Sequence, residues 1–148
     1  MFGGKVLPSK VLLRAIVHAT EDINKVIRAI KNIVGEEIDL SISRTKGYFG
    51  NEIILLYGEI SKRKRVEEIL RRILKDEENR NYIIATLDER IDERYHLYIR
   101  INKQEAYKGR IVVSEGDDVI SLIFSFNIYP RKKEHLMRWI RALAGENT

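Results

Sequence analysis

Two runs of cations stand where helices are expected to begin. Lys62-Arg63-Lys64-Arg65 precedes the apolar stripe Val66, Ile69, Leu70, Ile73 and Leu74. Arg131-Lys132-Lys133 follows Pro130 and leads into Leu136, Ile140 and Leu143. A helix N-terminus carries partial positive charge, so an exposed cation there costs about 0.3–1 kcal/mol. A bound phosphate reverses that sign, because free N–H groups and side-chain cations all attract it. Phosphate holding is therefore the chemistry that these residues in this placement favour. The plainer alternative is a solvated helix start, with Glu67–Arg71 and Glu68–Arg72 as local pairs at i,i+4 spacing.

A second constellation is the turn Gly47-Tyr48-Phe49-Gly50, flanked by Arg44 and Lys46. Aromatics beside cations suit stacking on an unpaired base, although hairpin aromatics also fold back on their own domain. A third is the outward side of the expected strands, which carries Tyr98 and Arg100 together with Arg14, His18, His96, Ser125 and Tyr129. Tyrosines and arginines on an open sheet serve base stacking and cation–π contact, and they serve a dimer interface equally well.

Templates for catalysis find no anchor. His18, His96 and His135 lack a spaced partner, and there is no G-x-S-x-G, Walker-type loop or G-x-G-x-x-G. The absence of cysteine removes disulfides, thiolate catalysis and zinc ribbons. Glu115-Gly116-Asp117-Asp118 holds carboxylates that could ligate Mg²⁺, but between strands it reads as a turn. Glu89, Asp92 and Glu93 read as a solvated acidic surface. The expectation is a protein with no catalytic residue, no metal and no cofactor.

The elements that position these groups follow from periodicity. Residues 10–19 alternate as a strand, and Thr20 is placed to cap a helix running through Ile23, Val26, Ile27, Ile30, Ile33 and Val34 to Gly35. Ile38, Leu40 and Ile42 alternate inward in a second strand, and residues 52–60 pair back as a third. Ser61 is the expected cap of the basic helix. A further helix is expected over residues 79–88, with Tyr82, Ile83 and Leu87 inward. Residues 95–102 form another strand, and residues 110–114 and 119–129 a hairpin around Glu-Gly-Asp-Asp. Pro130 then starts the last helix. This order predicts an α+β fold, a mostly antiparallel sheet with helices packed on one face. The boundaries are a flexible segment over residues 1–9, one domain over 10–144 and a tail over 145–148.

Composition agrees with a cytoplasmic globular protein. The chain has 148 residues, 44% hydrophobic and 33% charged, with no apolar run of membrane-spanning length and no secretory signal pattern at its start. A net charge of +5 and a pI near 9.4 favour polyanionic partners. The charge is segregated: residues 62–75 hold 7 bases against 2 acids, residues 76–95 hold 7 acids against 3 bases, and residues 131–148 hold 5 bases against 2 acids. Abundant Ile, Lys, Arg and Glu beside a single glutamine, Gln104, point to a thermophile.

Longer strings of the sequence carry a resemblance. Val17-His18-Ala19-Thr20-Glu21-Asp22, Gly47-Tyr48-Phe49-Gly50-Asn51, Leu97-Tyr98-Ile99-Arg100-Ile101-Asn102-Lys103-Gln104-Glu105-Ala106-Tyr107 and Ser114-Glu115-Gly116-Asp117-Asp118 are its landmarks. With Tyr129-Pro130 behind them, they resemble the archaeal predicted exosome subunit family over nearly the whole chain. The resemblance implies a fold similar to the ribosomal protein that carries the 5S RNA, binding to structured RNA, and association with exosome or ribosome components. It brings no catalytic residues. It draws attention to the bend at Asn102, where Lys103, Gln104, Tyr107 and Lys108 become candidate RNA contacts. The alternative there is that Asn102 and Gln104 cap a turn while Ala106 and Tyr107 pack.

Two functions follow from this reading. One is a non-catalytic RNA-binding protein, an accessory of RNA processing and degradation or of translation. The other is a protein-interaction module or homodimeric adaptor with little RNA contact.

Overall fold

In the computed structural model, residues 4–145 are described. The elements run β1 (Lys5–Val17), α1 (Ile23–Val34), β2 (Leu40–Lys46), β3 (Glu52–Ile60), α2 (Arg63–Lys75), α3 (Glu77–Ala85), α4 (Leu87–Arg90), β4 (Leu97–Asn102), α5 (Lys103–Tyr107), β5 (Val119–Tyr129) and α6 (Lys133–Leu143). The fold is α+β, with one five-stranded antiparallel sheet in the order β2-β3-β1-β5-β4. β2 and β3 pair from Leu40 opposite Gly58 to Lys46 opposite Glu52.

The alternation of β1 is visible in its burial. Val11, Leu13, Ala15 and Val17 are buried, whereas Leu12, Arg14 and Ile16 are exposed. A strand covered on one side and open on the other produces this period of two.

The chain forms two compact units. The first takes residues up to 11, 61–99 and from 123 onward. Its core includes Val66, Ile69, Leu70 and Ile73 of α2, Phe124 of β5, and Leu136 and Ile140 of α6. The second takes residues 12–60 and 100–122. Its core includes Leu13, Ala15 and Val17 of β1, Val26, Ala29, Ile30 and Ile33 of α1, and Ala106 of α5.

Several boundaries differ from the periodicity. β1 starts at Lys5, and Val6 and Pro8 are buried, so residues 5–9 belong to the sheet rather than to a loose segment. Residues 146–148 of the expected tail lie outside the described residues. Asp22, not Thr20, caps α1, its carboxylate accepting from Asn24 N at 2.9 Å. Residues 18–21 are taken up by a turn in which Glu21 N donates to His18 O at 2.9 Å.

The N-cap of α2 is Lys62 rather than Ser61, with no side-chain capping bond. Pro130 precedes α6 instead of opening it, and Lys132 is the N-cap there. The helix expected over 79–88 is two helices broken at Thr86, whose hydroxyl donates to Tyr82 O at 2.8 Å and accepts from Arg90 Nε at 2.7 Å.

Residues 110–114 do not pair with β5. Ile101 bridges Val113, Asn102 N donates to Val112 O at 2.8 Å, and Ser114 N donates to Arg100 O at 2.9 Å. β5 lies between β1 and β4, so the outer edge of β4 is the one open to this segment. Three side chains also face otherwise than expected. Ile42 and Tyr82 are exposed, while Ser125 is buried.

Candidate nucleic-acid interface

In the first unit, the start of α2 is a concentration of unneutralised charge. Lys62, Arg63 and Lys64 are exposed, and the first turn contains no acidic residue. Arg65 is half-buried and already has a partner. α6 also lacks a side-chain cap but carries Glu134 in its first turn, and the remaining long helices differ further. α1 and α3 are capped by aspartates, Asp22 and Asp76, that accept from their own first-turn N–H groups. α2 therefore leaves N–H donors for solvent or ligand and adds cations around them, an anion-seeking arrangement.

The second basic run is more committed. Lys133 Nζ donates to Asp88 O at 2.7 Å and sits 3.0 Å from Asp88 Oδ1. The Arg131 guanidinium lies over the Tyr95 ring, 5.1 Å from its centroid, and Tyr95 OH donates to Arg131 O at 3.0 Å. Tyr95 holds this position with φ of 64°, the left-handed region that a bulky side chain adopts only under constraint. Lys132 is exposed. A shallow groove of about 690 Å³ is lined by residues 91–95 and Lys133.

Beside this groove lies a network that the residue types alone did not announce. Asp92 accepts from the backbone N–H groups of Arg94 and His96, each at 2.9 Å, and from Tyr98 OH at 2.8 Å. Its carboxylate is also 3.0 Å from His96 Nδ1. Burial pushes the Asp92 carboxyl upward, but these hydrogen bonds outweigh it and hold the group down at about 2. The hydrogen bond to Asp92, with burial, raises Tyr98 above the usual phenol range. Asp92 is thus a structural acceptor rather than part of a solvated acidic surface. Its i,i+4 spacing to His96 was the available signal.

In the second unit, the β2–β3 hairpin carries Arg44, Lys46 and Tyr48. Arg44 Nη1 donates to Glu52 Oε1 at 2.8 Å. Lys46 is exposed, and Tyr48 is 96% exposed. The aromatics do not fold back on the domain. Arg100, half-buried, is 4.0 Å from Glu115.

The Asn102–Lys108 bend becomes α5, in which Lys103 and Ala106 are buried while Gln104, Tyr107 and Lys108 are exposed. Asn102 Oδ1 caps the helix by accepting from Glu105 N at 2.9 Å. The Lys103 side chain is only 4% exposed. Its ammonium donates to Ile16 O at 2.6 Å and to Glu21 Oε1 and Oε2 at 3.0 and 3.2 Å, and it meets Asp118 Oδ1 at 3.0 Å. As placed, Lys103 has no donor left for a phosphate, which corrects its expected role.

Gln104 Nε2 donates to Asp118 Oδ2 at 3.0 Å instead of capping a turn. Burial alone would raise the Asp118 carboxyl. Hydrogen bonds from Gln104 and Lys103, and the Lys103 charge, hold it below the ordinary carboxylate range. Tyr107 has Lys25 Nζ 5.5 Å above its ring, and Lys108, exposed, is 3.9 Å from Glu105. Asn32 Nδ2 donates to Ala106 O at 2.9 Å, tying the end of α5 to α1. A cleft of about 250 Å³ opens between Glu21, Asp22, Lys25, Gln104 and Tyr107.

Among the described residues, no cluster of three or more His, Asp or Glu could hold a metal ion. No helix there is long and apolar enough to cross a membrane.

Comparison with known proteins adds a family to this geometry. Residues 10–126 match a family model described as RNA binding. RNA-binding protein PAB1135 of Pyrococcus abyssi is 36% identical over 152 residues, covering 97% of this chain and 99% of that protein. Uncharacterized protein MJ0213 of Methanocaldococcus jannaschii is 37% identical over 143 residues, covering 90% and 95%. Among solved structures, protein AF2318 from Archaeglobus fulgidus, of the DUF54 family, aligns with a TM-score of 0.81 at 34% identity. That alignment covers 92% of this chain and 99% of that one.

Proposed function

The chain belongs to the RNA-binding family whose model spans residues 10–126, and from that premise we propose that it binds structured RNA without catalysing a reaction on it. Lys62, Arg63 and Lys64 grip backbone phosphates at the start of α2. Arg131 and Lys132 add contacts at the approach to α6. The observation that carries this reading is the α2 start: three exposed cations at a helix end with no side-chain cap and no first-turn acid. Such a turn opposes its own helix dipole until an anion arrives.

Lys108, Arg100 and Lys46 are secondary phosphate contacts in this proposal. Its setting is the cytoplasm, as an accessory of RNA processing and degradation linked to the exosome, or of translation beside the ribosome. Recovery of exosome or ribosome components with the tagged protein from its own cells, surviving nuclease treatment, checks that setting.

Electrostatic gripping has a measurable signature, because each neutralised phosphate releases counterions. With about three to five contacts, affinity for a structured RNA falls about 40- to 500-fold between about 50 and 200 mM salt. Fluorescence anisotropy on a labelled stem-loop reads this directly. An affinity that does not change with salt defeats the proposal.

A second reading, protein contact through the open side of the sheet, has its own observation. Leu12 and Ile16 on β1 are 38% and 44% exposed, two large apolar side chains left in water. Sedimentation at micromolar concentration checks it, and a strict monomer removes the homodimer.

A further inference from the structure

The β2–β3 hairpin ends in two aromatic side chains that the fold does not use. Tyr48 is 96% exposed and Phe49 85%. Rings of this size normally supply large apolar burial, so leaving both in water forgoes stabilisation that the fold could have taken. The backbone beneath them is nevertheless well defined. Gly47 N donates to Asn51 O at 2.6 Å, and Gly50 N donates to Gly47 O at 2.9 Å. Gly50 takes φ of 81°, and a Cβ on Gly47 would lie 2.8 Å from Ile53 Cδ1. The turn is thus seated against β3 at the point where the two rings leave the protein.

The rings of several other partly exposed aromatics are occupied, whereas Tyr57 on β3 and Tyr129 at the end of β5 stand 40% and 74% exposed. Lys25 stands over Tyr107, Arg131 over Tyr95, and Arg90 over Tyr82. Tyr98 is held through its hydroxyl by Asp92. Among the described residues, Tyr48 and Phe49 contact each other, edge to face, with centroids 5.0 Å apart and planes at 83°. An edge-to-face pair leaves open ring faces on both partners, the surface on which a planar base stacks. Lys46 is exposed beside the tip, and Arg44 is shared with Glu52 at 2.8 Å, so these three side chains leave positive charge in excess.

We propose that this tip is a separate base-stacking site for unpaired nucleotides: Tyr48 and Phe49 stack on bases of a loop or bulge, while Lys46 faces a flanking phosphate. The proposal rests on the RNA-binding reading above and deepens it by naming the class of RNA. Bases within a duplex already stack on one another and present no free face, so the tip distinguishes looped RNA from fully paired RNA.

The test compares two RNAs, a hairpin carrying 2-aminopurine in an unpaired loop and a fully paired duplex of equal length. Wild-type protein binds the looped RNA more tightly and quenches the 2-aminopurine fluorescence. Tyr48→Ala with Phe49→Ala weakens looped-RNA binding by about 30-fold or more, the loss expected for two stacked bases. It abolishes the quench and leaves both the duplex affinity and the salt slope unchanged. Tyr48→Phe keeps the ring and keeps the affinity. Both substitutions lie at exposed positions, and an unchanged circular dichroism spectrum confirms that the variants fold.

Equal looped-RNA affinity and a retained quench in the double variant overturn the tip proposal while RNA binding stands. A parallel loss on duplex and looped RNA makes the tip a backbone contact and also overturns it. Loss of binding to anionic lipid vesicles, with RNA binding intact, overturns it in favour of a membrane contact. A wild-type protein that binds neither RNA at low salt overturns both proposals.

Discussion

The start of α2 and the core of α5 treat positive charge in opposite ways. At α2, Lys62, Arg63 and Lys64 are in water at a helix end without a cap or a nearby first-turn acid. At α5, Lys103 is enclosed, with two carboxylates and a carbonyl oxygen around one ammonium. A cation that is fully partnered stabilises the fold and has nothing to offer a ligand. A cation left unpartnered against a helix dipole costs some stability and is available. The useful measure of a basic residue is therefore what already neutralises it.

The largest effect that sharpens this contrast is expected at Lys103. Lys103→Met keeps the length of the side chain but leaves Glu21 and Asp118 facing each other without their shared cation. Breaking a buried pair costs about 3–5 kcal/mol; both carboxylates retain some solvent, which reduces the expected loss to about 2–4 kcal/mol. Chemical denaturation measures it, and a loss below about 0.5 kcal/mol would remove Lys103 from the core network.

Asp92 supplies the next effect, in the first unit. Its folded-state value of about 2 lies below the ordinary 3.8, so its contribution is present above about pH 4 and is lost as pH falls through about 2. The side chain is 33% exposed, so solvent screening reduces the contribution to about 1–2 kcal/mol. Asp92→Asn is expected to lose that amount at pH 6 and little at pH 2. Equal losses at both values would show that the charge is not what matters there.

The smallest effect has the opposite sign. Replacing Lys62, Arg63 and Lys64 with alanine removes cations from the positive end of α2. Stability should rise by about 1 kcal/mol, and an unchanged or lower unfolding midpoint would contradict the unfavourable dipole placement.

Much of the scaffold was legible in the sequence because its signals are local. The stripe at Val66, Ile69, Leu70 and Ile73 and the alternation at Val11, Leu13 and Ala15 encode burial through spacing alone. The basic α2 start was also a local feature, whereas the exposure of Tyr48 was not, since hairpin aromatics also fold back on their own domain. What spacing could not show was partnership across long separations. Lys103 reads as a surface lysine until Glu21, 82 positions away, is placed beside it. Residues 110–114 alternate like a hairpin arm, and only the strand order shows that β4 has the free edge. Asp22 displaced Thr20 as a cap because the intervening turn consumed Glu21, a competition between neighbours that propensity does not rank.

The most direct measurement is the slope of log affinity against log salt for one structured RNA and three proteins. These are the wild type, the Lys62→Ala, Arg63→Ala, Lys64→Ala variant, and Lys103→Met under conditions where it is folded. Each phosphate contact contributes about 0.7–0.9 to the slope, so the triple variant should lose about 2–3 units while Lys103→Met keeps the wild-type slope. A triple variant with the wild-type slope, or a folded Lys103→Met with a reduced one, would contradict the assignment of RNA contact to the exposed α2 start.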